Sequence, residues 1–266
     1  MTIIGRDNMN VLDCIVIGGG PAGLSASLTL GRARRTIALF DDKTNRNRVT
    51  QEAHGFITRD GIKPQELKEL GLKELANYPS ITYVQATVIE IIKNQSNDRF
   101  IVKASNNQEY VAEKIILAYG IQEEFSLPSI REFYGKSLFS CPYCDGWEQR
   151  DKPLVVIAEK EEHALHLAQL IYNWSRDLVV LTNGVPLSEE GAATLQKRKI
   201  KVRSEAIKNL IGKDGYLQKI EFVTGETIIR SGGFVAPSYY RPNQFAEKLG
   251  CELHEDGKVI TDGVGR

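Results

Sequence analysis

The stretch Asp13-Cys14-Ile15-Val16-Ile17-Gly18-Gly19-Gly20-Pro21-Ala22-Gly23 decides the fold of this 266-residue chain. Its first five residues are a largely apolar run, of the kind that is buried in a parallel sheet. The glycines at 18, 20 and 23 fit the pattern G-x-G-x-x-G, which permits a tight turn, backbone approach to a pyrophosphate and close helix–strand packing. Leu24–Arg32 has a helix-forming composition, and Thr36–Phe40 is predicted to be the next strand. The stretch therefore predicts a β-α-β unit whose helix N-terminus faces phosphates.

A carboxylate follows the second predicted strand. Asp41 lies twenty-one positions after Gly20, where an acid can accept hydrogen bonds from ribose hydroxyls. A glycine motif alone also fits a tight structural turn, but here a strand, a helix and an acid accompany it. The three glycines and Asp41 therefore predict dinucleotide binding.

The rest of the chain predicts a small antiparallel region followed by a second β-α-β unit. The predicted elements before residue 118 are a helix at Pro64–Ala76, a meander of the strands Thr82–Ile92, Arg99–Ala104 and Tyr110–Ala112, and a buried strand at Lys114–Leu117. Those after it are the strand Leu154–Ala158, the helix Glu161–Trp174, the strand Leu178–Leu181, the helix Ser188–Lys199, and strands and turns over Glu205–Ile228. The predicted fold class is α/β, with two three-layer Rossmann-like domains, the second inserted into the first, and a small antiparallel β-meander.

Composition and charge narrow the class of protein. The 34 basic and 34 acidic residues balance, so no net field favours nucleic acid or an anionic membrane. We expect no membrane span, because no apolar run approaches the ~20 residues that a spanning helix needs. Met1–Asn10 is polar and lacks the apolar core of a signal peptide. With only four cysteines, the chain is unlike a secreted disulfide scaffold, and we expect it in the cytoplasm.

The second chemical motif is Cys141-Pro142-Tyr143-Cys144-Asp145-Gly146. Two thiols separated by two residues can form a small disulfide ring, and this setting commonly lowers a thiol pKa. Asp145 can supply or accept the proton that thiol–disulfide exchange must move. Zinc is an alternative, with His163 and His166 as further ligands, but two residues between the histidines is tighter than the usual spacing. Two inert cysteines are a third interpretation, and Cys14, in a core strand, is predicted to serve packing.

With these motifs, the chain resembles the low-molecular-weight thioredoxin reductase family, and more closely its thioredoxin-reductase-like flavoproteins in bacteria. The stretches that carry the resemblance are Asp13–Gly23, Arg46-Asn47 with His54-Gly55-Phe56, Tyr134–Trp147 and Phe234–Asn243. The resemblance implies an FAD domain at 1–117 and 237–266, around an NAD(P)-binding-like domain at 118–236 that carries the Cys pair. The candidate FAD-binding residues are Gly18, Gly20, Pro21, Ala22, Gly23, Asp41, Arg46, Asn47, His54, Val88 and Gly120.

The same resemblance assigns the catalytic roles. Cys144 would face the flavin, Cys141 would attack the partner disulfide, and Asp145 would be the acid. The flavin carries the two-electron chemistry, and the protein supplies geometry and electrostatics. A homodimer is also implied.

The chain departs from the family pattern at the second nucleotide motif. After the strand at 154–157, Ala158, Lys160 and His163 stand where small residues are expected, among Glu159, Glu161 and Glu162. Side chains there would block a pyrophosphate and the acids would repel it. Thr182-Asn183-Gly184-Val185 also lacks arginines for a 2′-phosphate. We therefore predict that NADPH and NADH bind poorly or not at all. A second departure is expected at the C-terminus, where the chain ends before the Gly-Asp segment that contacts FAD in the family.

Three hypotheses follow from the sequence. The first is a disulfide reductase that passes electrons through FAD and the Cys pair to a thioredoxin-like protein or a small disulfide. The second is an enzyme that does not use NADPH, either a dithiol oxidase or a reductase fed by ferredoxin or another flavoprotein. The third is a non-catalytic flavin-binding scaffold, which retention of both cysteines beside Asp145 argues against.

Overall fold

The structure is a computed structural model that describes residues 11–255 and 257–265. The expectation for Met1–Asn10 lies outside the described residues. By its internal contacts the chain divides into two units. The first unit holds the described residues of 1–48, 65–122 and 240–266, and the second holds 49–64 and 123–239.

The first unit is built on a mixed sheet. Its elements up to residue 117 are β1 (Leu12–Ile17), α1 (Pro21–Arg32), β2 (Ile37–Phe40), α2 (Pro64–Leu75), β3 (Ile81–Val84), β4 (Val88–Asn94), β5 (Arg99–Ala104) and β6 (Glu109–Leu117). Within the described residues the six strands have the order β3-β2-β1-β6-β5-β4. The strands β3, β2, β1 and β6 are parallel, and β6, β5 and β4 form an antiparallel meander.

Two predictions inside this sheet were wrong in detail. Thr82–Ile92 is not one strand, because β3 pairs in parallel with β2 while β4 pairs with β5 at the other end of the strand order. Tyr110–Ala112 and Lys114–Leu117 are not separate, because both belong to β6, which pairs with β5 on one side and β1 on the other. The meander is therefore an extension of the parallel sheet.

The second unit carries a parallel sheet and a separate antiparallel one. After a short crossing strand β7 (Gln122–Glu124), its elements are α3 (Ile130–Phe133), β8 (Leu138–Phe139), α4 (Pro142–Asp145), β9 (Leu154–Ile157), α5 (Glu161–Ile171), β10 (Leu178–Leu181), α6 (Glu189–Gln196), β11 (Lys201–Arg203), β12 (Ile207–Lys213), β13 (Tyr216–Phe222), β14 (Thr227–Ile229) and β15 (Gly232–Val235). The parallel order is β11-β10-β9-β15-β8, and β12, β13 and β14 form the antiparallel sheet. The chain crosses back at β16 (Ser238–Tyr240) and ends with α7 (Phe245–Lys248) in the first unit.

Burial explains why the central strands form. All four residues of β2, β9, β10 and β15 are buried, as expected for strands with both faces covered. The helices begin close to where the sequence predicts, although α1 starts earlier, at Pro21, because proline is preorganised for the first helical position. Ser188 caps α6 by accepting a hydrogen bond from the Gly191 N–H at 3.0 Å.

Residues 49–64 belong to the second unit by their contacts, although the sequence placed them in the first domain. Val49 lies against Gly135, where an added Cβ would come within 2.6 Å of the Val49 carbonyl oxygen. His54 lies 3.7 Å from Glu148. None of the helices in the described part of the chain is both long enough and apolar enough to cross a bilayer.

Candidate functional site

A cavity of about 480 Å³ opens at the carboxyl ends of the parallel strands of the first unit. It is bordered by the turn after β1, the end of β2 and the segment after β6. The residues that line it are Ile17–Ala22, Phe40–Asp42, Thr44–Asn47, Ala86–Val88, Ala118–Ile121, Pro242, Asn243 and Phe245. This is the edge at which open α/β sheets bind ligands.

The glycine turn of the first unit has the geometry that a pyrophosphate requires. Gly18 adopts a φ of +114°, which favours glycine. An added Cβ at Gly23 would lie 1.8 Å from the Gly18 carbonyl oxygen, so this glycine lets α1 pack directly on the turn. An added Cβ at Gly20 would meet no atom within 4 Å. Gly20 therefore leaves open space at the N-terminus of α1, where no side chain caps the free N–H groups.

Asp41 lines the cavity, but its carboxylate is already held by the protein. The side chain is 3% exposed, and it forms an ion pair with Lys68. Tyr83 Oη donates to Oδ2 at 2.7 Å, and the Lys43 N–H donates to Oδ1 at 3.0 Å. Burial raises the pKa of Asp41, but these donors outweigh burial and lower the pKa overall. Asp41 is therefore ionised and fixed in position, with acceptor capacity left on Oδ1.

The other candidate FAD residues fall into two groups. Gly18, Gly20, Pro21, Ala22, Arg46, Asn47, Val88 and Gly120 line the cavity together with Asp41. Gly23 lies behind the turn, and His54, which belongs to the second unit, is not among the residues that line the cavity. Their roles in binding FAD stay predictions.

The cysteine pair lies at the start of α4 in the second unit. Cys141 and Cys144 form a disulfide with a Cα–Cα distance of 5.3 Å. Cys141 is half-buried and Cys144 is exposed, so both are in an environment that permits exchange. By contrast, burial raises the pKa of the Cys14 thiol to about 11, which suits a packing role. Among the described residues, no three His, Cys, Asp or Glu side chains come together as a metal site.

Asp145 follows the disulfide directly and has a strongly altered acidity. The pKa of Asp145 is raised to about 7, chiefly by burial and also by the nearby Glu148 carboxylate, while His54 acts in the opposite direction. A carboxyl group that titrates near neutral pH is suited to general acid–base chemistry. Asp145 can therefore take up or release a proton beside the disulfide.

The turn between β9 and α5 carries acidic side chains that are hydrogen-bonded to neighbouring segments. Asn183 donates to Glu159 Oε1 at 2.6 Å. Glu161 accepts from the Ser188 N–H at 2.6 Å and from its hydroxyl at 2.8 Å. These hydrogen bonds lower the pKa of Glu161. Glu161 thus stands in the first turn of α5 with an ionised carboxylate that is bound at the N-terminus of α6.

The strand β11 of the second unit carries an arginine, Arg203, that the sequence did not suggest. Arg203 pairs in register with Leu181, at the end of β10. Its guanidinium is engaged, because it donates to the carboxylates of Glu205 and Glu226. It therefore does not stand ready to hold a 2′-phosphate.

Comparison with known proteins identifies the family of the chain. Residues 12–266 match the family described as pyridine nucleotide-disulphide oxidoreductase. The chain belongs to this family. The resemblance predicted from the motifs, the α/β class with two Rossmann-like domains, and the enzyme class of an oxidoreductase acting on a disulfide are confirmed.

Several of the relatives with which the chain aligns are named as thioredoxin reductases. The thioredoxin reductase aclD of Aspergillus oryzae is 30% identical over 93% of this chain and 81% of its own length. The "Probable thioredoxin reductase" of Arthroderma benhamiae is 32% identical over 70% of this chain, but the match spans only 47% of that protein. The crystal structure of "Putative Thioredoxin Reductase TrxB from Bacillus anthracis" is 56% identical, with a TM-score of 0.93, and covers 96% of this chain and 86% of that one.

Several residues near the candidate sites are not indicated by the sequence motifs. Lys68 and Tyr83 come from α2 and β3, and no local pattern links them to Asp41. Glu148 is different, because a sequence signal for it exists. It lies three residues after Asp145, a spacing at which side chains are neighbours on a helix. The proximity of His54 to Glu148 has no sequence signal, because it depends on how residues 49–64 pack.

Proposed function

We propose that this chain is an FAD-dependent dithiol/disulfide oxidoreductase in which Cys141 and Cys144 are the redox pair. The observation that carries the proposal is the disulfide itself, with the acid Asp145 directly beside it. The partner is a thioredoxin-like protein or a small-molecule disulfide or dithiol. We further propose that the enzyme acts as a homodimer in the cytoplasm.

The cavity of the first unit supports FAD as the cofactor. Its open space at Gly20 and the uncapped N-terminus of α1 suit a pyrophosphate, and Asp41 is held ionised where a ribose would lie. Arg46 and Asn47 lie in the same lining. Bound FAD supplies the two-electron chemistry that interconverts the disulfide and the dithiol.

The exchange step balances on the cysteines alone. In the reductive direction the Cys141 thiolate attacks a partner disulfide, which forms a mixed disulfide and releases one partner thiolate. The Cys144 thiolate then attacks the Cys141 sulfur, releases the second partner thiolate and regenerates the Cys141–Cys144 disulfide. Two electrons leave the pair, and each released thiolate takes a proton. Asp145 is placed to supply one.

Variants of the two cysteines test this proposal. The full-length protein as purified should release FAD on denaturation, and Cys141→Ser and Cys144→Ser should each abolish disulfide or dithiol turnover while FAD remains bound. Cys14→Ser is the matched control and should keep turnover, because this thiol is buried in the core. A protein that carried no flavin and took none up, or two active cysteine variants, would refute the proposal.

We also propose that the electrons do not come from NADPH or NADH. A dithiol, a ferredoxin-type protein or another flavoprotein takes that place. The support is the β9–α5 turn, where Ala158, Lys160 and His163 replace small residues and the acids Glu159, Glu161 and Glu162 lie among them. Loss of the phosphate contacts would cost several kcal/mol, and each ~1.4 kcal/mol is tenfold in affinity.

Anaerobic mixing separates the donors. FAD-loaded protein is mixed in turn with millimolar NADPH, NADH, dithiothreitol and reduced ferredoxin, and the visible absorbance of the flavin is followed. The expected result is slow or absent bleaching with both nucleotides and rapid bleaching with a thiol or protein donor. Bleaching within seconds by either nucleotide would overturn this second proposal and leave the first intact.

A further inference from the structure

The carboxylate of Asp41 lies directly against the glycine turn of the first unit. Asp41 follows β2, and an added Cβ at Gly19 would come within 2.5 Å of Asp41 Cγ. Glycine at position 19 therefore allows the acid to approach the turn this closely. Both residues line the cavity. The contacts that hold this carboxylate thus determine which hydrogen bonds it can accept from a nucleotide bound there.

The pairing of β2 with β3 brings Tyr83 to Asp41. Tyr83 pairs with Leu39, and Asp41 lies two positions after Leu39, just beyond the end of β2. Side chains two positions apart on a strand point to the same face of the sheet. The Asp41 N–H donates to the Val84 carbonyl at 3.1 Å, so the pairing continues at this point. Tyr83 Oη can therefore reach Asp41 Oδ2, to which it donates at 2.7 Å.

Lys68, on α2, binds the same oxygen. Its Nζ lies 2.5 Å from Asp41 Oδ2, and the residue is 7% exposed. Burial and the bond to Asp41 raise the pKa of the Tyr83 hydroxyl, so this hydroxyl keeps its proton and remains a donor. A carboxylate oxygen has two lone-pair sites, and the two donors occupy both of them. Oδ2 is therefore bound within the protein, by side chains that do not belong to the cavity lining.

Oδ1 of Asp41 is the oxygen that remains for a ligand. The Lys43 N–H donates to it at 3.0 Å, which occupies one of its two lone-pair sites. Among the described residues, Lys43, Lys68 and Tyr83 are the donors to this carboxylate. One acceptor site is thus left on Oδ1. The Lys68 ammonium balances the charge of the acid, which would otherwise repel the phosphates of a nucleotide on the adjacent turn.

We propose that Lys68 and Tyr83 are positioning residues for the nucleotide, because by occupying Oδ2 they leave Asp41 with one acceptor site, on Oδ1, for a single ribose hydroxyl. The inference rests on the proposed binding of FAD, whose adenosine half carries that ribose. Of the 2′-hydroxyl and the 3′-hydroxyl, Asp41 binds one and not the other. Lys68 and Tyr83 act through Asp41.

The test compares nucleotides that lack one ribose hydroxyl. Flavin-free full-length protein is dialysed to equilibrium with FAD, and ADP, 2′-deoxy-ADP or 3′-deoxy-ADP is added as the competitor. The wild type, Tyr83→Phe and the control Tyr78→Phe are compared. In the wild type, the deoxynucleotide that lacks the hydroxyl bound by Asp41 should have an affinity about tenfold lower than that of ADP, because a hydrogen bond to a charged acceptor is lost.

Tyr83→Phe should weaken the binding of ADP by about threefold to tenfold. It should leave the affinity for that same deoxynucleotide nearly unchanged, because the hydrogen bond that Tyr83 positions is already absent, and it should weaken the other deoxynucleotide as much as ADP. Such coupling between a side chain and one ligand group is measured by a double-mutant cycle. Tyr78→Phe removes a hydroxyl that accepts from Arg32 Nη1 at 3.0 Å, and it should change none of the three affinities.

Three results would overturn the proposal. The first is an equal loss of affinity for all three nucleotides in Tyr83→Phe, or no loss, since Tyr83 would then support only the fold. The second is coupling of Tyr83 to both hydroxyls, and the third is bound FAD that millimolar ADP does not displace. If Tyr83→Phe does not fold, Lys68→Gln takes its place in the same comparison. Wild-type protein that took up no FAD would refute the proposed function itself, which is a different result.

Discussion

Asp145→Asn should make the oxidised protein more stable at alkaline pH and leave its stability unchanged at acid pH. The pKa of Asp145 is raised from 3.8 to about 7, chiefly by burial. The folded state therefore keeps a proton that the unfolded chain has already lost. The contribution of Asp145 to the free energy of unfolding is most favourable below about pH 4 and falls as the pH rises to about 7.

The size of the effect follows from the same difference. At about 1.4 kcal/mol per pKa unit, the rise corresponds to at most about 4 kcal/mol. Asp145 is partly exposed, so solvent screening reduces the cost, and we expect about 2 kcal/mol. At about 2–4 °C per kcal/mol, Asp145→Asn should raise the Tm at pH 8 by about 4–8 °C.

Thermal unfolding of the oxidised wild type, Asp145→Asn and the control Asp214→Asn at pH 5 and pH 8 checks this prediction. Asp214 is exposed and adopts a φ of 56°, which asparagine tolerates. The expected result is a gain at pH 8 for Asp145→Asn that shrinks at pH 5, and no gain for the control. An equal or lower Tm for Asp145→Asn at pH 8 would refute the claim that its charge is strained in the folded protein.

Two further predictions concern the first unit. Gly23→Ala should lower the free energy of unfolding by about 1–3 kcal/mol, and with it the Tm and the FAD content, because the new Cβ would collide with the Gly18 carbonyl. Gly20→Ala should lower the FAD affinity and leave the Tm unchanged, because its Cβ meets open space. Equal Tm values for the wild type and Gly23→Ala would contradict the prediction for Gly23. Lys68→Met should lower the free energy of unfolding by about 3–5 kcal/mol, since it leaves the Asp41 carboxylate buried without its ion-pair partner. Adding Asp41→Asn should restore part of that loss in denaturant titrations, and no restoration would contradict the pairing.

The parts of the fold that follow local patterns could be predicted from sequence. The run at 12–17, the glycine turn and the buried strands at 37–40, 154–157 and 178–181 all form where periodicity and composition place them. Their apolar runs are continuous because both faces are covered. The predicted strand boundaries were wrong where pairing between strands that are distant in sequence determines them. Thr82–Ile92 was predicted as one strand, but its two halves form β3 and β4, which lie at opposite ends of the sheet order.

For the candidate site, too, only residues that lie close together in sequence could be predicted. Motif spacing was sufficient to find the glycine turn, Cys141, Cys144 and Asp145, because each lies in a short contiguous stretch. It could not find Lys68 at Asp41 or His54 at Glu148, since these contacts join residues 27 and 94 positions apart in sequence. A pattern that is read along the chain carries no information on which side chains meet across such a separation.

The central claim is that electrons move between FAD and the Cys141–Cys144 pair. Anaerobic mixing of the FAD-loaded full-length protein with dithiothreitol tests it most directly, with the visible flavin absorbance followed in the wild type and in Cys144→Ser. We predict rapid bleaching of the wild type and none, or bleaching slowed by orders of magnitude, in the variant. Equally fast bleaching in both proteins would show that the flavin is reduced without the cysteine pair, and would contradict the claim.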